Sequence, residues 1–299
     1  MAALAHIAML LVLGIVAASA LFNVYAYRGA ARHRRRHPPA CAADGEDRTP
    51  WPGRAWAFAV ECAATALLGL ATPLALRRRR VRPLDPDDPR PPVVLLHGYA
   101  QNAANFLWLA RRLERDGWRH LHPVAHAPVG GDIERSAQRL GEAIDRIRRA
   151  SGASRVDIVA HSMGGLVARA YIRTRGGASA VGRLITLGTP HQGTEAFPRL
   201  RLDPMVVQMR PGSPLLARLA ADDPVPQLAD CISIYSADDA VVVPPSRAYY
   251  PGAFNVEVRG LGHLSLLFSR RVYTLVRENL AAERAPAPAT AAGGAPWPR

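Results

Sequence analysis

Residues 156–165 run Val156-Asp157-Ile158-Val159-Ala160-His161-Ser162-Met163-Gly164-Gly165, apolar up to a serine and then small residues that open a helical pattern. No other stretch limits the possible folds as strongly. A strand that ends in a small-x-Ser-x-Gly turn lifts its serine hydroxyl above the edge of a sheet, and the tight turn admits only small residues two positions either side. Ala160 and Gly164 stand at those positions, so the pattern predicts a strand, a sharp turn carrying Ser162 as a nucleophile, and a helix. Ala160 replaces the usual glycine, but a single methyl group still fits close strand–helix packing.

The flanking sequence alternates in the same way. Val93-Val94-Leu95-Leu96-His97, closed by Gly98, is a continuous apolar run suited to a strand covered on both faces. Phe106, Leu109 and Leu113 follow at helical spacing, closed by Gly117, and Trp118 to Ala127 is a weaker strand. Asp132 can cap a helix whose Ile133, Ala137, Leu140, Ile144 and Ile147 form one stripe, ended by Gly152. The helix after Ser162 is expected to run through Thr174. Strands are expected at Leu184–Leu187, Cys231–Tyr235 and Phe254–Val258, and a closing helix over Leu264–Leu280. This order predicts an α/β fold, a mainly parallel central sheet with helices on both faces. Residues 196–230 are irregular and proline-rich, either a small cap or a connecting loop.

Composition matters chiefly before residue 92. Leu4 to Tyr27 carries no Asp, Glu or Arg and exceeds the roughly 20 residues of a membrane span. Arg28, Arg32 and Arg34–Arg36 follow it, an end the positive-inside tendency places in the cytoplasm. No basic residue precedes the run, which argues against a cleaved signal peptide. Ala55 to Leu76 is also apolar and ends on Arg77–Arg80, but contains Glu61. It is expected either to span or to lie at the interface or on the soluble domain. The division is therefore 1–27 transmembrane helix, 28–54 basic linker, 55–76 second apolar helix, 77–91 Arg/Pro/Asp linker, 92–284 catalytic domain and 285–299 disordered tail. One or two N-terminal membrane helices thus precede the α/β domain.

The net charge of +14 is carried entirely by arginine, for the chain has no lysine. Its densest clusters follow the apolar stretches, where anionic headgroups would meet them, and no nucleic-acid-binding pattern is present, so membrane lipid and not nucleic acid is the expected partner. Cys41, Cys62 and Cys231 are too scattered for a disulfide framework or a zinc site, and His120, His122 and His126 lack acidic or cysteine partners for a metal.

A serine hydroxyl needs a histidine to take its proton and an acid to hold that histidine. Asp239 follows the strand ending near Tyr235, and His263 follows the strand through Val256, so serine, acid and histidine each sit in a turn directly after a strand, on one edge of the sheet. Asp238 competes with Asp239, and only one of two adjacent side chains should reach His263. The oxyanion of an acyl-transfer intermediate needs N–H donors, for which Met163 and Tyr99 are the candidates, with Gly98 allowing close approach. His97 is expected to brace its loop, and His161 to pack away from the base. No metal or organic cofactor is required.

Five segments carry a family resemblance over roughly Pro92 to Arg284: Val94–Tyr99, Val156–Arg169, Leu187–Thr194, Ile234–Val242 and Gly262–Leu267. Together they resemble the small bacterial lipases and esterases of the α/β-hydrolase fold, the triacylglycerol lipases among them. The resemblance implies a serine esterase with Ser162 as nucleophile, His263 as base and Asp239 as acid, the aspartate on which the Tyr-Ser-x-x-Asp-x-Val-Val spacing ends. It implies an ester or lipid substrate, here on a membrane-anchored enzyme, with a bacterial inner membrane as the expected location. Acyl transfer to an alcohol, or a non-catalytic binding role on the same fold, are the alternative readings.

Overall fold

In the computed structural model, described for residues 2–36, 50–73, 90–127, 129–173, 177–197, 202–221, 223, 225 and 229–283, all six expected strands are present and all pair in parallel. They are β1 (Val93–Leu96), β2 (Leu121–Val124), β3 (Val156–His161), β4 (Val181–Leu187), β5 (Asp230–Ser236) and β6 (Phe254–Val258), in the spatial order β2-β1-β3-β4-β5-β6. Because successive residues of a strand face opposite ways, the apolar runs supply two cores at once. Val94, Leu96 and Ile158 pack on one face against helices α4 (Ile133–Ser151) and α5 (Met163–Arg173). Val93, Leu95 and Val159 pack on the other against α3 (Leu107–Arg115) and α9 (Arg270–Ala281). The chain leaves β1 for β2 on one side and returns past it to β3 on the other. That reversal, with right-handed crossovers, puts α3 and α4 on opposite faces and opens a crevice at the C-terminal ends of β1 and β3.

Local signals set several boundaries. The Asp132 carboxylate accepts the Arg135 N–H at 2.8 Å and starts α4, and Gly152, at φ 74°, ends it. The weak strand expected over 118–127 is confined to Leu121–Val124. The closing helix is split, because Ser265–Phe268 is a separate short turn and Ser269 caps α9 by accepting the Val272 N–H. A continuous apolar pattern concealed that break. The proline-rich stretch holds α7 (Pro204–Gln208) and α8 (Pro214–Ala220), capped by Asp203 and Ser213, with α6 (Gly177–Ala180) before β4.

The N-terminal region departs most from expectation. Helix α1 runs from Ala2 through Arg36, so residues 28–36, expected in a linker, continue the helix; arginine is a good helix former and complements the C-terminal end of the dipole. Helix α2 spans Trp51–Ala71 and pairs antiparallel with α1: Tyr27 meets Phe58 edge-on at 5.1 Å, and Asn23 donates to Thr65 Oγ1 at 2.9 Å. The pair lies on the sheet domain. Ala64 and Leu68 of α2 join the α3/α9 core, while Ala26 and Ala30 of α1 pack on Ala196, Ala240 and Val243. The outer half of α1 stays uncovered, with Ile7, Leu10, Leu11, Leu13 and Leu21 56–71% exposed. The 77–91 linker, apart from Arg90 and Pro91, and the tail from 285 lie outside the described residues.

Candidate active site

Ser162 sits between β3 and α5 at φ 55°, a left-handed conformation that is uncommon for a residue with a Cβ. The surroundings hold it there: its N–H donates to Leu187 O at 2.9 Å, and Thr189 Oγ1 donates to its carbonyl at 2.8 Å. A Cβ on Gly164 would stand 2.5 Å from Leu96 O and 2.6 Å from His97 O, so only glycine lets the start of α5 close against the end of β1. The strained serine and its small neighbour are thus parts of one turn.

His263 and Asp239 meet as the sequence order anticipates. His263 Nδ1 lies 2.7 Å from Asp239 Oδ2, and Asp239 Oδ1 accepts the N–H groups of Val241 and Val242 at 2.7 and 2.9 Å. Asp239 is 1% exposed. Asp238 turns elsewhere, accepting the Gly260 N–H at 2.7 Å, which resolves the choice between the two carboxylates. Burial works to lower the His263 pKa, but the Asp239 charge, its hydrogen bond and a smaller effect of Glu61 outweigh it and leave the imidazole above its ordinary value. Among the described residues Ser162 Oγ has no hydrogen-bond partner, yet Ser162 and His263 line one cavity of about 280 Å³. Such a contact is often loose without substrate and tightens when substrate is bound.

That cavity is mainly apolar. Phe197, Met209, Val242 and Leu264 line it together with Phe22 of α1 and Thr65 of α2. Sequence reasoning missed these last two contributions, because an apolar helical stripe looks the same whether it faces lipid or protein. Tyr99 and Ala100, from the loop after β1, also line it, and Met163 opens α5 fully buried, its N–H among the first-turn donors that lack an intrahelical acceptor.

The neighbouring histidines are structural. His97 Nδ1 lies 2.9 Å from Gly98 O, and its ring stacks on His126 at 4.2 Å; burial, then the neighbouring His126, lower its pKa to about 4. His161 does not turn away from the base as expected: its ring lies 4.7 Å from that of His263, and Nε2–H donates to the His263 carbonyl at 3.1 Å. It braces the base's backbone. His120, His122 and His126 are buried within and beside β2.

A parallel sheet with this strand order, a serine on a strained strand-to-helix turn, and an acid and histidine following later strands decide the architecture. The chain has the α/β-hydrolase fold. Comparison with known proteins agrees. A family model for palmitoyl protein thioesterase matches residues 92–226 of this chain. The mature form of a Bacillus licheniformis lipase superposes with a TM-score of 0.60 at 18% identity, over 67% of this chain and 96% of that one. Lipase B of Aspergillus fumigatus gives 0.60 at 17% identity, over 75% of this chain and 58% of its own.

Proposed function

We propose that this hydrolase is a membrane-anchored serine esterase that cleaves lipid-like acyl esters through an acyl-enzyme. The observation carrying this reading is the buried Asp239–His263 pair opening with Ser162 onto one apolar cavity. Ser162 Oγ attacks the ester carbonyl as its proton passes to His263 Nε2, and the new Oγ–C bond leaves the carbonyl oxygen negative. The N–H groups of Tyr99 and Met163 are the donors for that oxyanion. Collapse breaks the ester C–O bond, and the departing alkoxide takes the proton back from His263. Water then repeats the sequence on the acyl-serine and releases the acid. Asp239 holds Nδ1–H of His263 and stabilises the imidazolium.

The lipid-like substrate is supported by the lining: Phe22, Phe197 and Met209 suit an acyl chain, and the outer half of α1 offers an apolar surface for a bilayer to cover. Exposed Arg32 and Arg36 follow at the headgroup level. The match to a thioesterase model adds acyl thioesters to the substrates worth testing. A fluorophosphonate probe should label the wild type at Ser162, with p-nitrophenyl butyrate and palmitate, an acyl thioester and micellar phospholipid tested in parallel. Labelling that persists in Ser162→Ala, or a folded wild type inert towards the whole panel, sinks the proposal.

A further inference from the structure

A charged residue in the middle of an apolar helix costs free energy unless it has partners. Glu61 of α2 has two. Its Oε1 accepts the Leu264 N–H at 2.6 Å and its Oε2 accepts the Ser265 N–H at 2.8 Å, and the residue is 1% exposed. Those amides are the two that immediately follow His263, while the His263 carbonyl itself is held by His161 at 3.1 Å. The loop is shaped to receive the carboxylate, since a Cβ on Gly262 would stand 2.4 Å from Glu61 Oε2. Behind it, Thr65 Oγ1 donates to the Glu61 carbonyl at 2.7 Å and accepts from Asn23 of α1 at 2.9 Å, so both N-terminal helices back the contact.

We propose that Glu61 is a positioning residue for the catalytic base: supplied by a helix N-terminal to the α/β sheet, it fixes the backbone after His263 and places a second negative charge near the imidazole. This rests on the acyl-enzyme reading of Ser162, Asp239 and His263. The two N–H donors, one to each oxygen, suit the ionised form, and charge-assisted bonds of this kind are stronger than neutral ones. Burial pushes the Glu61 pKa up, while the two backbone hydrogen bonds act against it. The titratable groups facing His263 are Asp239 from the loop after β5, His161 from β3 and Glu61 from α2; Tyr27 of α1 and Cys62 of α2 interact with Glu61 itself. Asp239 and Glu61 both favour the imidazolium, so losing the Glu61 charge makes His263 a weaker base.

The test compares wild type, Ser162→Ala, Glu61→Gln and Gly262→Ala as full-length protein on a p-nitrophenyl ester, following kcat, KM, the pH profile of kcat/KM and the melting temperature. Glu61→Gln keeps the shape but presents an amide N–H₂ to one of the two donors; Gly262→Ala keeps the charge but displaces it. Both are expected to lower kcat about tenfold with KM within about twofold. In Glu61→Gln the acid limb also moves to lower pH, a change that mere loosening of the fold does not produce. Should Glu61→Gln fail to fold, the fall in kcat at constant KM is read from Gly262→Ala alone. Wild-type kcat and an unmoved limb, or activity lost only in proportion to folded protein, would overturn the proposal. Absence of Ser162-dependent turnover in the wild type would instead overturn the esterase reading beneath it.

Discussion

Ser162 shows how much of the site one residue's neighbourhood can dictate. The sharp turn carrying it, the glycine two residues on and the serine–acid–histidine order were all readable from residues 156–165 and the turns after β5 and β6, whereas its positive φ is seen only in the structure. The choice of Asp239 over Asp238 came from the family resemblance alone, through the Tyr-Ser-x-x-Asp-x-Val-Val spacing; the residues by themselves left both open, because the choice depends on which carboxylate faces the Val241 and Val242 amides. Asp239→Asn should leave the fold intact and lower kcat by about 10⁴-fold, since an amide can hold the wrong imidazole tautomer; a panel ester under saturating conditions measures this. In the proposed mechanism His263 must be neutral to accept the serine proton, and its pKa is raised above the ordinary 6.5 by the Asp239 charge. Activity should therefore fall as pH drops, with the acid-limb midpoint of kcat/KM above 6.5. Gly164→Ala drives a methyl group into the carbonyls at the end of β1 and should cost about 1–3 kcal/mol, read from chemical denaturation.

Among the elements, the central strands β1, β3 and β4 were the most legible, because they are covered on both faces and so are rich in apolar residues, whereas β2 and β6 at the sheet edges are interrupted by polar residues or proline. The helices α3, α4 and α5 were legible from their stripes and caps. For α2 the sequence left spanning, interfacial and domain-packed placements open. Ala57, Ala64 and Leu68 are buried against protein, but alanine and leucine suit a lipid face equally, so periodicity cannot tell the two apart. The discriminating signal was polar: Glu61 in α2 and Asn23 in α1 each require a partner that hydrocarbon does not provide. Leu68→Ala should destabilise the whole domain by about 2–5 kcal/mol, as expected for a core leucine, whereas Leu11→Ala in the outer half of α1 should change stability by less than about 0.5 kcal/mol; thermal unfolding in detergent compares them.

At the scale of the molecule, the N-terminal helices and the sheet domain form one body with a shared cavity wall. Removing residues 2–20 should leave turnover of a short soluble ester within about threefold of the full chain while abolishing co-flotation with anionic vesicles, whereas removing residues 2–73 should yield insoluble or inactive protein because it uncovers the Ala64 and Leu68 seat. Phe22 lies one residue beyond exposed Leu21 on the same continuous helix, and it lines the chamber that holds Ser162. A nucleophile on a supple leash would sample ester bonds at many heights above a bilayer. Under the membrane-anchored reading proposed above, one whose chamber is built onto the anchoring helix itself meets them at a single depth. Selection among lipids would then follow where each carbonyl rides in the leaflet as much as what the molecule is made of.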